Sequence, residues 1–315
     1  MKKLSFLLCL LCLFACNSNF DLEAELRQEY AFDDDGDPVI NNVENTDEQQ
    51  LGIGNGFCYG YGPPEAPVAD IEIDELLPNT HDISDFLPIV RSQGTQGSCV
   101  GWATGYYLKS YQENLEDSEN GIVIKNNEMS PSYVYNQIKV SDCDGGSSIQ
   151  DAMELLVNQG VVDLTEMPYN ENECNIQPDE SQKSLAQINR IENYFYLNES
   201  LVFEQTKAFL LNNQPVVIAI TIDRSYFGAQ EEGDLYVYRK FKNAAGGHAM
   251  LVVGYDDDKN AFKAVNSWGK DWANNGFVWI DYKAFKDAGN LQSEFPVLCE
   301  AWVVNDIIEN QPASL

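Results

Sequence analysis

Residues 93–112 read QGTQGSCVGWATGYYLKSYQ, a glycine-rich loop that runs directly into a helical pattern. From Cys99 to about Glu116 the bulky residues recur at the spacing of one buried helix face, so we expect a helix that begins at or near the cysteine. A thiol at a helix N-terminus faces unpaired backbone N–H groups and the positive end of the helix dipole, and both favour its ionised form. This placement makes Cys99 a candidate nucleophile.

The loop before the cysteine is suited to an approaching substrate. Gly94 and Gly97 keep side-chain bulk away from a substrate backbone. Gln93 can place its amide NH₂ beside the backbone N–H of Cys99, where the oxyanion of a tetrahedral intermediate would form. Donors of that kind are typically worth about 3 kcal/mol of transition-state stabilisation. We therefore expect Gln93 to contribute to an oxyanion hole.

A candidate base for this nucleophile lies in the second half of the chain. His248 opens an apolar strand, Asn266 lies on the returning strand, and a polar turn near Asp257 separates them. In a simple antiparallel hairpin about that turn, paired residue numbers add up to about 514, which sets His248 beside Asn266. The amide oxygen would then accept a hydrogen bond from one ring nitrogen and select the tautomer, as the third member of a nucleophilic triad does.

The remaining pattern divides the chain into a helical part and a strand part. Three further helices are predicted, which begin at Ser130-Pro131, at Ser147 or Ser148, and near Ser200. After Pro215 the pattern changes to strands, and the first of them covers Val216–Ile222. Helices followed by strands predict an α+β protein with two packed lobes.

Composition and charge restrict the possible partners. The chain has 315 residues, of which 44% are hydrophobic, enough for one sizeable core or two small ones. It carries 19 basic and 50 acidic residues, a net charge of −31. A chain so acidic is repelled by nucleic acid and by anionic membrane surfaces, so we expect no nucleic-acid partner.

The first residues have the pattern of an export signal. Lys2-Lys3 precedes an apolar run over residues 4–14 that is too short to span a bilayer permanently. The run ends in Leu13-Phe14-Ala15-Cys16, which resembles a bacterial lipobox whose cysteine becomes the lipidated N-terminus. We expect residues 1–15 to be a signal peptide and Cys16 to anchor an exported lipoprotein at the outer membrane or cell surface of a bacterium. The alternative is an ordinary secretory signal that is cleaved nearby.

Two regions follow the signal. Residues 16–77 are acidic, contain many glycines and prolines, and have little apolar periodicity, so we expect a largely disordered tether. Dense apolar material begins near Asp82. Residues 78–310 are therefore expected to form the folded domain, as a monomer.

The number of cysteines left to form disulfides is odd if one cysteine of the exported chain is lipidated. Six follow the signal: Cys16, Cys58, Cys99, Cys143, Cys174 and Cys299. With Cys16 acylated, five remain, so at least one thiol is free or paired outside the chain. Cysteine and histidine show no metal-ligand spacing in this part of the sequence, and we expect no metal and no cofactor.

Several motifs, in chain order, resemble those of the papain family of cysteine peptidases. Three lie at the candidate site: Gln93-Gly94-x-x-Gly97-Ser98-Cys99, Gly247-His248-Ala249 and Asn266-Ser267-Trp268-Gly269. Four others extend the likeness: Met129-Ser130-Pro131, Cys143-Asp144-Gly145-Gly146, Met167-Pro168-Tyr169 and Asn213-Gln214-Pro215-Val216. The resemblance covers roughly residues 80–305, the size of one catalytic domain of the family.

The resemblance implies a fold and a triad. The fold is α+β and two-lobed, with a helical N-terminal lobe, an antiparallel β-barrel-like C-terminal lobe and the active site in the cleft between them. Cys99 would be the nucleophile of a cysteine endopeptidase and His248 its general base and acid. Asn266 would orient the histidine, and Gln93 would complete the oxyanion hole.

It also implies how substrate is held. Trp268 would cover the histidine–asparagine bond from water. Gly145 and Gly146 would bind the substrate backbone, with Gly247 beside the histidine in the same binding region. Hydrogen bonding along an extended backbone suits endopeptidase action on peptides and proteins.

The chain departs from the family in its cysteines. The family usually has a cysteine where Gln96 stands, bonded to the position of Cys143, and the usual partner of Cys174 is replaced by an asparagine near 136. We hypothesise that Cys143 and Cys174 pair with each other.

Two other functions remain open. One is a catalytically silent papain-like lipoprotein that binds peptides, although such a binder need not keep Gln93, Cys99, His248 and Asn266 together. The other is a cysteine amidase or acyltransferase that acts on cell-wall peptides. Those enzymes share the cysteine–histidine pair but lack the combination of Gln93 with the Asn-Ser-Trp-Gly strand.

Overall fold

The computed structural model describes residues 66–73, 77–121, 127–198, 200–223, 226, 236–239, 241, 246–286 and 297–307. The helices are α1 (three consecutive segments, Cys99–Gly101, Trp102–Lys109 and Ser110–Glu119), α2 (Pro131–Ile138), α3 (Ile149–Asn158), α4 (Glu180–Ala186), α5 (Val202–Leu211) and α6 (Tyr282–Lys286). The strands are β1 (Thr80–Asp82), β2 (Ile191–Tyr196), β3 (Val216–Ile222), β4 (Val237–Tyr238), β5 (Gly246–Asp256), β6 (Ala261–Val265), β7 (Phe277–Asp281) and β8 (Leu298–Asp306). Short 3₁₀ helices cover Ser84–Phe86 and Gln187–Asn189.

Helix α1 begins at Cys99, as predicted, and forms the centre of the helical lobe. All eight residues of its middle segment are buried, and this segment has the wider π-helical winding. A Cβ atom at Gly101 would lie 2.7 Å from the carbonyl oxygen of Pro131, and one at Gly105 would lie 2.8 Å from Val134 Cγ2. Only glycine allows α1 and α2 to approach this closely.

Two of the three predicted helix starts are confirmed by their caps. The third helix, predicted from near Ser200, is α5, which begins at Val202 and has no side-chain cap. The hydroxyl of Ser130 accepts the backbone N–H of Tyr133 at 3.1 Å, with Pro131 in the first turn of α2. Ser148 rather than Ser147 caps α3, where its hydroxyl accepts the N–H of Asp151 at 3.3 Å. Side chains of this type satisfy backbone donors that have no partner within the helix.

The strands form one sheet. Strand β1 pairs with β5, and the others follow the order β2-β8-β3-β5-β6-β7-β4. All pairs are antiparallel except β4 and β7, which run parallel. Among the described residues this path is open at β2 and β4. The α+β class, with a helical first lobe and a mainly antiparallel second lobe, is confirmed.

Three elements depart from the predicted order of helices followed by strands: β1 precedes α1, β2 precedes α5, and α6 lies between β7 and β8. Strand β2 pairs with β8 at the other end of the chain. Its sequence, Ile-Glu-Asn-Tyr-Phe-Tyr, does not alternate polar and apolar residues, so the period of two that marks a strand is missing. Helix α4 was not predicted, although Asp179 and Gln182 form a capping box at its start.

Part of the segment predicted as a tether packs on the sheet. The N–H of Ala69 donates to the carbonyl of Tyr196 at 2.8 Å, and the N–H of Tyr196 donates to the carbonyl of Pro67 at 2.9 Å. Gln205 Nε2 donates to the carbonyl of Ala69 at 3.1 Å, and Ala69 is buried. Residues 67–69 therefore lie beside the end of β2, where the backbone groups of both segments find partners.

The predicted signal peptide, the candidate lipidation site Cys16 and residues 16–65 of the tether lie outside the described residues. Within the described part of the chain, no helix combines the length and the apolarity that crossing a membrane requires.

Candidate active site

Cys99 is the first residue of α1, with Ser98 at the N-cap position. It is buried, and it is not in a disulfide. The first turn of α1 packs against β5, the strand that carries His248. The fold thus brings the helix N-terminus of one lobe to the central strand of the other.

His248 and Asn266 are in direct contact. His248 Nε2 lies 2.7 Å from Asn266 Oδ1, and both residues are fully buried. The same Oδ1 accepts the backbone N–H of Ser267 at 2.7 Å, which identifies this atom as the amide oxygen. An oxygen can only accept from the ring, so Nε2 carries the hydrogen in the neutral imidazole and Nδ1 is left as the proton acceptor.

The predicted contact is present, and the pairing of β5 with β6 is shifted from the expected register. Leu251 pairs with Val265, and Asp256 pairs with Ala261, which shifts the pairing by two to three residues from the expected one. An irregularity in the pairing between Val252 and Gly254 accounts for one residue of this shift. His248 and Asn266 meet because Asn266 lies just beyond the end of β6, where its side chain turns toward β5.

Trp268 covers the histidine. Its ring centroid lies 4.8 Å from that of His248 with an angle of 35° between the planes. Trp272 and Tyr226 pack against Trp268 at 5.1 and 5.4 Å. Trp268 thus lies against the ring of His248, the placement that the resemblance implies for it.

Gln93 is buried and joined to the second lobe. Its backbone N–H donates to the carbonyl of Ser267 at 2.8 Å, and its Oε1 accepts the hydroxyl of Ser267. Gln93 Nε2 donates to the carbonyl of Gln96 at 2.8 Å. An amide NH₂ has two hydrogens, so one of them stays available for a substrate oxygen.

The three glycines assigned to substrate binding lie on two elements. Gly145 and Gly146 follow Cys143, whose carbonyl accepts the N–H of Gly97 at 2.9 Å, so this strip adjoins the loop before Cys99. Gly146 has a φ of +68°, and a Cβ there would meet no atom within 4 Å. Gly247 lies in β5 opposite Thr221.

The hypothesised disulfide is present. Cys143 and Cys174 are bonded, with their Cα atoms 5.5 Å apart. Gln96 and Asn136 take the places of the two cysteines that the family usually has there, and Asn136 Nδ2 donates to the carbonyl of Ile176 at 2.9 Å. Cys299 is also disulfide-bonded, so Cys99 is the sole cysteine of the described residues outside a disulfide.

Sequence reasoning missed residues that support the site. Tyr107 of α1 donates its hydroxyl to the backbone carbonyl of Asn266 at 3.0 Å. Burial raises the pKa of Tyr107, so the phenol keeps its proton and remains a donor. Ser267 and Tyr169 contact Gln93. Ser267 and Tyr169 belong to the quoted motifs, but their spacing does not show which atoms they contact.

Carboxylates lie near the glycine strip. Burial, together with the charge of Asp142, raises the pKa of Asp144, which directly precedes Gly145.

Within the described part of the chain, no group of three or more potential ligands (His, Cys, Asp or Glu) is placed to hold a metal ion.

Comparison with known proteins gives a consistent set of relatives. The family model described as papain family cysteine protease matches residues 77–294. An uncharacterized peptidase C1-like protein of Acanthamoeba polyphaga mimivirus is 26% identical over 231 residues, which cover 69% of this chain and 71% of that protein. A cysteine protease of Blomia tropicalis is 26% identical over 257 residues, 77% of this chain and 74% of that protein. The crystal structure of xylellain, a cysteine protease from Xylella fastidiosa, matches with a TM-score of 0.65 at 21% identity. The match covers 85% of this chain and 100% of the xylellain chain.

These matches decide the fold and the reaction class. The similarity to xylellain shows the papain-like two-lobed fold, and the predicted cysteine peptidase, a hydrolase, is confirmed. The family match covers Cys99, His248 and Asn266 and ends just before β8. The chain belongs to the papain family of cysteine proteases.

Proposed function

We propose that this protein is a cysteine endopeptidase that cleaves peptides and proteins with Cys99, His248 and Asn266. The main support is the hydrogen bond between His248 Nε2 and Asn266 Oδ1. Because it places the ring hydrogen on Nε2, it reserves Nδ1 for the thiol proton.

The first half of the reaction forms an acyl-enzyme. Cys99 transfers its proton to His248 Nδ1, and the thiolate attacks the carbonyl carbon of the scissile bond. The electron pair of the C=O bond moves to the oxygen, where Gln93 Nε2 and the backbone N–H of Cys99 donate hydrogen bonds. When this pair returns, the C–N bond breaks and His248 gives its proton to the leaving amine. A thioester on Cys99 remains.

The second half releases the acid product. His248 Nδ1 takes a proton from a water molecule, whose oxygen attacks the thioester carbon. The oxyanion forms again in the same place, and its collapse breaks the C–S bond. The carboxylic acid leaves, and the thiolate of Cys99 recovers its ion pair with the imidazolium.

The glycine strip supports action within a chain. Gly145 and Gly146 carry no side chains. The N–H of Gly145 donates to the carbonyl of Asp142 at 2.9 Å, and the carbonyl of Gly146 accepts the N–H of Val140 at 3.1 Å. Among the described residues, this leaves the N–H of Gly146 and the carbonyl of Gly145 as the groups with which an extended substrate can pair. We therefore assign endopeptidase activity, with peptides or unfolded proteins as substrates, to a monomeric chain.

We further propose that the protein is exported and held at a bacterial outer membrane or cell surface by a lipid on Cys16. The support is the sequence pattern: two lysines, an apolar run over residues 4–14, and Ala15-Cys16. Mass spectrometry of the N-terminal peptide from membranes should show a diacylglyceryl modification on Cys16. An unmodified N-terminus elsewhere would contradict the anchor without touching the catalytic assignment.

The catalytic proposal is tested by a peptide epoxide, which alkylates an activated thiol. The wild-type protein should be labelled once, at Cys99, and should hydrolyse an unfolded protein but not peptidoglycan fragments. Absence of labelling and of hydrolysis would favour the silent binding protein. Cleavage of peptidoglycan fragments alone would favour the amidase.

A further inference from the structure

Residues 169–171, here called the clamp, hold residues 93–98, here called the nucleophile loop. Tyr169 donates its hydroxyl to the carbonyl of Gln93 at 2.7 Å. The hydroxyl oxygen of Tyr169 also lies 2.7 Å from the hydroxyl of Ser98. Because the phenol proton is already donated to Gln93, Ser98 is the donor in this second bond. One side chain thus joins the first and the last residue of the loop.

Glu171 holds the apex of the loop. Its Oε2 accepts the backbone N–H of Thr95 at 2.8 Å. Gly94 has a φ of +59°, and a Cβ atom there would overlap the Glu171 carboxylate. The carboxylate therefore lies directly against the Cα atom of Gly94, the residue next to Gln93, and glycine is needed for both its conformation and its space.

Gln96 completes the contact between the two segments. Its Nε2 donates to the carbonyls of Asn170 and Glu171, each at 3.3 Å. Its own carbonyl accepts Gln93 Nε2 at 2.8 Å. Gln96 stands where the family usually has a half-cystine, so the nucleophile loop has hydrogen bonds to the clamp in place of that covalent link. The position of the Gln93 amide then depends on the Gln96 carbonyl, and this carbonyl depends on the clamp.

We propose that Glu171 is a positioning residue for the oxyanion hole, which acts by fixing Thr95 and Gln96 so that the Gln93 amide points at the reacting carbonyl. This rests on the proposed function, in which Gln93 is an oxyanion donor. Neither Glu171 nor Thr95 contacts the substrate in this scheme. The bonds among Glu171, Thr95, Gln96 and Gln93 form a continuous path to the donor atom.

The test separates oxyanion stabilisation from the reactivity of the thiol. A peptide aldehyde adds to the Cys99 thiolate, and the electron pair of its C=O bond moves to an oxygen in the oxyanion hole. Iodoacetamide reacts with the same thiolate by displacement of iodide and forms no oxyanion. A displaced Gln93 amide should weaken the first reaction and leave the second unchanged.

For Glu171→Ala we expect kcat for a peptide amide to fall about tenfold, since a donor is displaced and not removed. The inhibition constant of the aldehyde should rise by a similar factor, with KM and the iodoacetamide rate unchanged. Glu171→Gln keeps an oxygen acceptor for Thr95 and should restore both values. Glu173→Ala is the matched control, because the Glu173 carboxylate accepts only a local N–H, from Asn175 at 2.7 Å, among the bonds that the structure records.

Wild-type kcat and aldehyde affinity in Glu171→Ala would overturn the proposal. So would an equal loss in the iodoacetamide rate, which would show a general disturbance of the site. If the alanine variant does not fold, Glu171→Asp carries the same test, because its shorter carboxylate falls short of Thr95. A failure of the proposed function would instead appear in the wild-type protein. Iodoacetamide would then alkylate Cys99 no faster than it alkylates an ordinary thiol.

Discussion

Asn266 Oδ1 accepts two hydrogen bonds at once, from His248 Nε2 and from the backbone N–H of Ser267, each at 2.7 Å. Tyr107 holds the carbonyl of the same asparagine at 3.0 Å. The amide therefore cannot rotate without the loss of a buried bond, and the imidazole plane is fixed by both lobes. The geometry of the base is set before substrate arrives.

Asn266→Ala should keep a fraction of the activity. Loss of a buried hydrogen bond of this kind is worth about 1–3 kcal/mol, so we expect kcat/KM to fall by roughly 10- to 100-fold. Steady-state kinetics on a peptide substrate measures the loss. Asn274→Ala is the control, because the bonds recorded for Asn274 join its backbone to Phe277, the first residue of β7, and the substitution keeps them. An Asn266→Ala enzyme as fast as the wild type would show that the amide does not orient the base.

Cys99→Ala should abolish hydrolysis and leave the fold intact. The side chain loses only its sulfur, so the free energy of unfolding should change by less than about 1 kcal/mol. Hydrolysis and thermal unfolding are measured on the same sample. A Cys99→Ala protein that still cleaves would refute the assignment of the nucleophile.

Glu300→Gln should raise stability at neutral pH. Burial raises the pKa of Glu300, whose carboxylate accepts Trp302 Nε1 at 2.9 Å and has no ion pair among the described residues. An amide oxygen accepts the same bond without a partly buried charge, so we expect a gain of roughly 1 kcal/mol at pH 7.

The pH dependence of that gain has a defined sign. A carboxyl whose folded pKa is raised stabilises the fold when protonated, fully so below the unfolded pKa of about 4.3, and loses this contribution as pH rises through the folded pKa. The difference between Glu300→Gln and wild type should therefore shrink as pH falls from 7 to 4. Urea unfolding across this range measures it, and a pH-independent difference would contradict the explanation.

Replacement of both Cys143 and Cys174 by alanine should destabilise the protein by roughly 3–4 kcal/mol, the loss expected for a loop of this size. The two cysteines are 31 residues apart in sequence. Urea unfolding without reductant measures the change, and each single variant should lose a similar amount. An unfolding midpoint equal to the wild-type value in the double variant would show that the bond adds nothing to stability.

Local sequence patterns were sufficient to predict the positions of Cys99, His248 and Asn266. Cys99 could be placed at a helix start because the glycine-rich loop ends and a helical spacing of bulky residues begins there. The contact of His248 with Asn266 followed from one hairpin, and the irregularity after Val252 changed the register without separating the two side chains.

Contacts between distant segments could not be predicted in this way. The bond from Glu171 to Thr95 spans 76 residues, and no local signal marks either partner. The pairing of β2 with β8 joins residues more than 100 positions apart, for example Tyr196 and Trp302. Such contacts depend on how the two lobes are arranged, which periodicity within one segment does not encode.

The bridge between Val68 and Tyr196 has a consequence for the isolated molecule. Among the described residues, β2 is the last strand on its side of the sheet. An edge strand with uncovered amide groups can recruit the same strand from another copy. Pro67 and Ala69 bond the N–H and the carbonyl of Tyr196, at the end of β2, within the same chain. A shortened protein that begins after residue 73 would expose them, so self-association, more than lost activity, is the expected price of trimming.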